Sequence, residues 1–154
     1  MIAFEIISTG SQGNAVVINK IILIDCGVNF KALEPYYRAL KLVLLTHIHS
    51  DHFNKTAIKL LARNRPMLRF ACGKWLVSDV VACGVSKANI DVVEFNTLYN
   101  YGACNVIPFP LVHDVPNCGW KIHFPIGKVI YATDTNNLNG VTARNYDLYL
   151  IEAN

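Results

Sequence analysis

The sequence has no apolar run near the ~18 residues that a membrane-spanning helix needs, although 53% of its residues are hydrophobic. Charge is also sparse, at 16%, which excludes the usual composition of a disordered chain and suits a packed core. There is no Cys-x-x-Cys pair. The cysteines Cys26, Cys72, Cys83, Cys104 and Cys118 are odd in number, so they read as reduced thiols, most of them core filler, in a cytosolic protein. Met1-Ile2-Ala3-Phe4-Glu5 has neither the basic start nor the apolar centre of a secretory signal, and this too points to the cytoplasm. No repeat, linker or low-complexity segment breaks the 154 residues, a length that suits one domain.

One further absence is local. Between His52 and Asp79 there is no acidic residue, yet Lys55, Lys59, Arg63, Arg65, Arg69 and Lys74 fall there. Lys55, Lys59 and Arg63 are spaced by four, which stacks them on one helix face. Such a stripe is ordinarily a solvated face. Directly after a cluster of histidines, it also reads as a surface for an anionic substrate. The net charge of +3 is too small to argue for nucleic acid by itself.

Dense aliphatic and β-branched content at 2–7 and 15–24 predicts a strand, a Gly/Ser/Asn connection, and a hairpin turning near Asn19-Lys20. A short helix is expected over 32–40, with Pro35 in its first turn. A buried strand over 42–46 follows, then an amphipathic helix over 55–64 stopped near Pro66. Residues 68–71, 74–83 and 91–95 read as a β-α-β unit. Beyond Leu98 the chain is strand-rich, and Pro108 and Pro110 suit an edge or a bulge. A hairpin is expected from 119–124 and 128–133 across Pro125-Ile126-Gly127, with a last strand at 146–151. The pattern alone is that of an α/β or α+β layered domain.

Chemistry concentrates where the strand at 42–46 ends. His47, His49, Asp51 and His52 fall within six residues and include three of the chain's five histidines. His47 and His49 are two apart, so at an extended strand end they project to the same side. Imidazole and carboxylate are ordinary ligands for zinc and similar divalent ions. His113 and Asp134 each follow an apolar run, as strand-end ligands should. Taken alone, they read as a loop or core histidine and an ordinary turn residue. Asp25, before Gly27, reads equally as a turn-forming carboxylate. His123 lies inside an expected strand and reads as structural or surface.

The run Thr46-His47-Ile48-His49-Ser50-Asp51-His52 resembles the signature of the metallo-β-lactamase fold superfamily. Other segments follow in the same order. Ser8-Thr9-Gly10-Ser11-Gln12-Gly13-Asn14 is similar to the opening hairpin, and Leu23-Ile24-Asp25-Cys26-Gly27 to the strand ending in Asp-x-Gly. Val112-His113-Asp114, with Pro116 and Gly119-Trp120, is similar to the third-histidine loop. Tyr131-Ala132-Thr133-Asp134-Thr135 resembles the bridging-aspartate strand, and Leu150-Ile151-Glu152-Ala153-Asn154 the strand after it. In order and wording the segments are most similar to the bacterial YycJ/WalJ-like hydrolases, a branch associated with nuclease activity.

The resemblance implies an αββα sandwich carrying two divalent ions, zinc or manganese. It implies that His47, His49 and His113 hold the first ion, Asp51 and His52 the second, and that Asp134 bridges them. Asp51 and His52 would thereby take part in catalysis. Asp25 would support the loop from behind, and Asp114 would shape the His113 loop, with a role toward substrate also open. The family's further histidine ligand and closing elements would lie past Asn154. The chain is therefore expected to lack them, and to form a homodimer or pair with a completing polypeptide. The function expected is a metal-dependent phosphodiesterase or nuclease using a metal-activated hydroxide. A nucleic acid or nucleotide would be the substrate, with Lys55, Lys59 and Arg63 attracting its phosphates, and no membrane would be involved. Two alternatives stay open: a hydrolase of a thioester, lactone or β-lactam, and a truncated metal-binding or partner-binding domain with little activity.

Overall fold

The segments that read as strands pair in sequence order. The structure, a computed structural model, describes residues 1–153, so Asn154 lies outside the described residues. It holds two sheets and few helices. The chain divides into two compact units, Ala3–Val92 and Met1–Ile2 with Val93 onward.

In the first unit the order is β1 (Phe4–Ser8), β2 (Ala15–Ile18), β3 (Ile22–Ile24), β4 (Leu42–Leu44), β5 (Arg69–Cys72) and β6 (Ile90–Val92). The β2–β3 hairpin turns at Asn19 and Lys20, both with positive φ, the central residues of a turn closed by Ile21 N donating to Ile18 O at 3.1 Å. From β3 to β6 the pairing is parallel, with Ile22↔Leu42 and Leu44↔Ala71 in register. The C-terminal ends of β3, β4 and β5 are therefore neighbours. Helix α1 (Phe30–Leu33) starts earlier and is shorter than the 32–40 expected. Asn29 accepts from Ala32 N at 3.0 Å and begins it, and Pro35 falls beyond its end, with no N–H to offer the carbonyl of Lys31. Helix α2 (Lys55–Asn64) matches its expected bounds and is capped by Asn54, which accepts from Ala57 N at 3.0 Å. The helix expected over 74–83 splits into a 3-10 turn, Lys74–Leu76, and α3 (Val77–Ala82).

These helices bury their apolar stripes on the parallel strands. Ala57, Ile58 and Leu61 of α2, with Leu76 and Val80, pack in one cluster with Leu23, Val43, Leu45 and Phe70. Full burial of side chains of that size stabilises by about 1.5–3 kcal/mol each.

In the second unit the order is β11 (Leu148–Ala153), β10 (Gly127–Thr135), β9 (Asn117–Phe124), β8 (Asn105–Leu111) and β7 (Tyr99–Asn100). The β9–β10 hairpin turns at Pro125-Ile126, as its punctuation predicts. Pro108 and Pro110 sit on β8 past the point where the short β7 stops pairing, so their missing N–H groups interrupt no ladder. Association was expected if the last strand were central to its sheet. Among the described residues β11 instead ends the order, parallel to β10. Phe109, Leu111, Ile130 and Ala132 form a small core under Val141, Ala143 and Tyr146. His123 is structural: its Nε2 lies 2.7 Å from the Tyr146 hydroxyl.

All five cysteines are buried. Burial pushes the Cys72 thiol up to about 12 and the Cys104 thiol up to about 11, as expected of inert core groups.

Two stability predictions follow from these packings. Leu61→Ala should cost about 2–5 kcal/mol in urea unfolding, whereas exposed Met67→Ala should stay within about 0.5 kcal/mol. His123 is held below its ordinary range, first by burial and then by Lys128 and Lys121. Its neutral form therefore contributes stability that is complete above about pH 6.5 and is lost as pH falls through the lowered folded value. Melting curves of wild type and His123→Gln should diverge less as the pH drops through that window.

Candidate metal centre

In-register parallel pairing of β3 and β4 brings the residues after them together, at the end where open parallel sheets place their ligands. Asp25 N donates to Leu44 O at 2.8 Å, which seats the Asp25 side chain beside Thr46. Asp25 has positive φ and is fully buried, a backbone state that a non-glycine residue adopts at a cost. Its Oδ1 accepts from Thr46 N at 2.9 Å, and Thr46 Oγ1 reaches Oδ1 and Oδ2 at 2.9 and 2.8 Å. His52 Nδ1 lies 2.6 Å from Asp25 Oδ2.

These contacts fix two tautomers. A carboxylate accepts only, so the His52 proton sits on Nδ1 and the lone pair on Nε2. The Thr46 hydroxyl gives its one proton to Asp25, so it accepts from His47 Nδ1, 2.8 Å away. His47 therefore also presents its lone pair at Nε2. One buried carboxylate sets both rings in the form that binds metal. The His47 ring centroid is 4.9 Å from that of His49 and 4.2 Å from that of His52. Ligand atoms of His47 and His49 lie within 4.8 Å of each other, and His52 Nε2 is 3.6 Å from Asp51 Oδ2. The pairs His47 with His49 and Asp51 with His52 thus offer imidazole and carboxylate donors of the types that hold a divalent cation such as zinc.

The loop is woven to its neighbours by backbone bonds. Cys26 N donates to His52 O at 2.9 Å, Asn54 N to Cys26 O at 2.7 Å, and Asn14 N to Asp51 O at 2.6 Å. Gly27 admits this approach, since a Cβ there would lie 1.7 Å from Asp51 O. Trp75 Nε1 donates to Thr46 O at 3.2 Å, just before the first histidine. Sequence reasoning missed Asn14, Gly27 and Trp75 as parts of this site. Asn14 and Gly27 lie in segments that carry the resemblance, Ser8 to Asn14 and Leu23 to Gly27, but were given no role at the site, whereas Trp75 carried no signal.

Of the basic stripe, Lys55 and Lys59 line a cavity of about 170 Å³ with Thr56, Asp79, Ala82 and Cys83. The stripe thus faces α3 and one carboxylate. Arg63 does not line that cavity and is exposed in the last turn of α2.

In the second unit, His113 and Asp134 present ligand atoms within 4.8 Å of each other. Val112 N donates to Thr135 Oγ1 at 3.2 Å, and Asn136 N to Val112 O at 2.8 Å, which pins the histidine loop to the end of β10. Asp134 has positive φ, and Asn117 Nδ2 donates to its carbonyl at 3.0 Å and to that of Thr133 at 3.1 Å. Asp114 is exposed, with Oδ1 3.1 Å from His113 Nε2.

Residues 20–154 match the family model described as the beta-lactamase superfamily domain. No curated protein matches the sequence. Among solved structures, the metallo-beta-lactamase fold protein YhfI from Bacillus subtilis aligns with a TM-score of 0.69 at 15% identity, over 84% of this chain and 61% of that one. The human tRNase Z short form aligns with a TM-score of 0.67 at 15% identity, over 94% of this chain and 72% of that one. A diphosphatase from the PhnP family aligns with a TM-score of 0.55 at 17% identity, over 79% and 51%. At these identities the likeness establishes the fold. The chain spans less than two thirds of the length of YhfI.

Removing the carboxylate that orients the rings should weaken metal binding without removing a ligand. Asp25→Asn should lower zinc affinity about 10–100-fold, measured by competition with a chromophoric chelator. An unchanged affinity would separate Asp25 from the site.

Proposed function

We propose that this chain, which belongs to the beta-lactamase superfamily, is a metal-dependent hydrolase cleaving phosphodiesters in a nucleic acid or nucleotide. The observation that carries the reading is the Asp25–Thr46–His47–His52 constellation, which presents Nε2 lone pairs from two rings at one loop. The solved structures with the same fold include a tRNase Z and a diphosphatase, which is in keeping with phosphate chemistry. The similarity of the motifs to YycJ/WalJ-like hydrolases points the same way.

In this reading His47, His49 and His113 hold one ion, and Asp51 and His52 a second, with Asp134 shared. The places of His113 and Asp134 rest on the order of the motifs along the chain. Imidazole-rich donors suit zinc, and the added carboxylates admit manganese. When bound, such ions supply the acidity that makes water a nucleophile near neutral pH and neutralise charge on phosphate oxygens.

The chain's own residues do the rest. Asp25 holds His52 and, through Thr46, His47, so that neither ring turns away. Asp51 and His52, as ligands at the reacting centre, are the residues proposed to be catalytic. Asp114, beside His113, shapes that loop. Lys55 and Lys59 offer ammonium groups to substrate phosphates near the start of α2, and Arg63 extends that charge along the helix. A cytoplasmic setting belongs to the reading, as does an associated form, a homodimer or a pairing with a completing polypeptide.

The test is hydrolysis of bis(p-nitrophenyl) phosphate and of a single-stranded oligonucleotide, with zinc or manganese and with a chelator. Activity should require the ion, and His49→Ala should lower it by at least about 100-fold, the scale of one lost catalytic group. Reversing Lys55, Lys59 and Arg63 to glutamate should weaken oligonucleotide binding and its salt dependence, while leaving the small diester nearly unaffected. Turnover that persists in chelator would contradict the proposal.

A further inference from the structure

Asn14 is buried at the turn into β2, where a polar side chain is costly unless its groups are paired. Its bonds settle which way the amide points. Oδ1 accepts from Gly10 N at 3.1 Å, and Nδ2 donates to Gly10 O at 2.9 Å and lies 3.2 Å from Asp51 O. The same Nδ2 lies 3.1 Å from His52 Nε2 and 3.4 Å from Asp51 Oδ2. Because Asp25 holds the His52 proton on Nδ1, Nε2 is an acceptor, and the contact is an amide N–H pointing at the imidazole lone pair.

This is an unusual partner for that nitrogen. The two side-chain atoms facing the Asn14 amide nitrogen are the carboxylate oxygen and the ring nitrogen assigned above to a cation, 3.6 Å apart. A turn asparagine needs only its contacts with Gly10. The reach to Asp51 and His52 adds nothing to the β1–β2 connection, but it aims both acceptors at one point.

We infer that Asn14 is a positioning residue for the Asp51–His52 ligand pair. Its amide holds the two acceptors converged in the absence of an ion and gives them up when a divalent cation is loaded. The inference rests on the reading of Asp51 and His52 as cation ligands. The contacts of Asn14 described above are with this pair, so the effect is expected there rather than at His47 and His49. Because that contact exists only without the ion, Asn14→Ala should tighten loading at one of two positions and spare the other.

The experiment combines two readouts on the full chain. Zinc and cobalt titrations followed by elemental analysis and cobalt absorption should show two loading steps in wild type. In Asn14→Ala one step should stay in place and the other tighten about 2–10-fold, the scale of one net hydrogen bond removed from the ion-free state. Nitrogen NMR of histidine-labelled protein without metal should show His52 Nε2 as an acceptor whose shift moves in the variant, while His47 Nε2 does not move. Asn14→Asp covers the case in which alanine unfolds the loop. It keeps an acceptor for Gly10 N and the side-chain shape but sets a carboxylate oxygen where the N–H stood, so the His52 shift should move in the opposite sense to alanine. Weakening of that step, an equal change in both steps, or a His52 shift unchanged in a folded variant, would overturn the inference. If wild type binds no metal at all, the reading of the site fails instead, and the NMR arm still decides whether Asn14 holds His52.

Discussion

One buried carboxylate organises the loop on which the rest depends. Asp25 sits at the end of β3, fully buried and at positive φ, and receives bonds from the Thr46 amide, the Thr46 hydroxyl and His52. Taking such a group out of water costs several kcal/mol unless it is fully hydrogen-bonded. The three donors meet that cost and, in doing so, lock two imidazoles in one tautomer. The cost and the function are therefore the same set of bonds. Without the parallel β3–β4 pairing, Asp25 and Thr46 would not meet. Without Gly27, the loop that carries Asp51 could not approach as closely.

The second unit repeats the device with different residues. Asp134 also stands at a strand end with positive φ, and a buried asparagine, Asn117, holds the backbone around it. Strained aspartates at strand ends, each stapled by neighbouring amides, are the expected signature of groups kept in place for chemistry rather than for packing. Asn14 and Asn117 share a trait that makes them useful here, since an amide can donate and accept at once in a buried place where a charge would be too costly.

Much of this was legible beforehand because it is written in short-range pattern. The Asn19-Lys20 turn, α2 with its cap at Asn54, and the β9–β10 hairpin each depend on a few adjacent residues. The histidine loop stood out because so many ligand types crowd at one strand end, and the superfamily followed from that spacing and from the collinear segments. The α1 boundary slipped because Pro35 reads as a residue of the helix's first turn, whereas the Asn29 cap starts the helix earlier and Pro35 falls beyond its end. Asn14 and Trp75 stayed hidden for a different reason. Their partners are 38 and 29 residues away along the chain, and only the folded sheet brings them together. The cavity that joins Lys55 and Lys59 to Asp79 is likewise a tertiary fact, and it turns an acid-free stripe into a face with one carboxylate opposite.

The claim at the centre of this account is that the histidine loop holds a cation through imidazole nitrogen. X-ray absorption spectroscopy of the zinc-loaded protein reads this directly. The account predicts a shell of nitrogen and oxygen only, at about 2.0–2.1 Å, with the outer-shell scattering of two or more imidazoles. A shell containing sulfur at about 2.3 Å, or one without imidazole scattering, would place the ion elsewhere and contradict it.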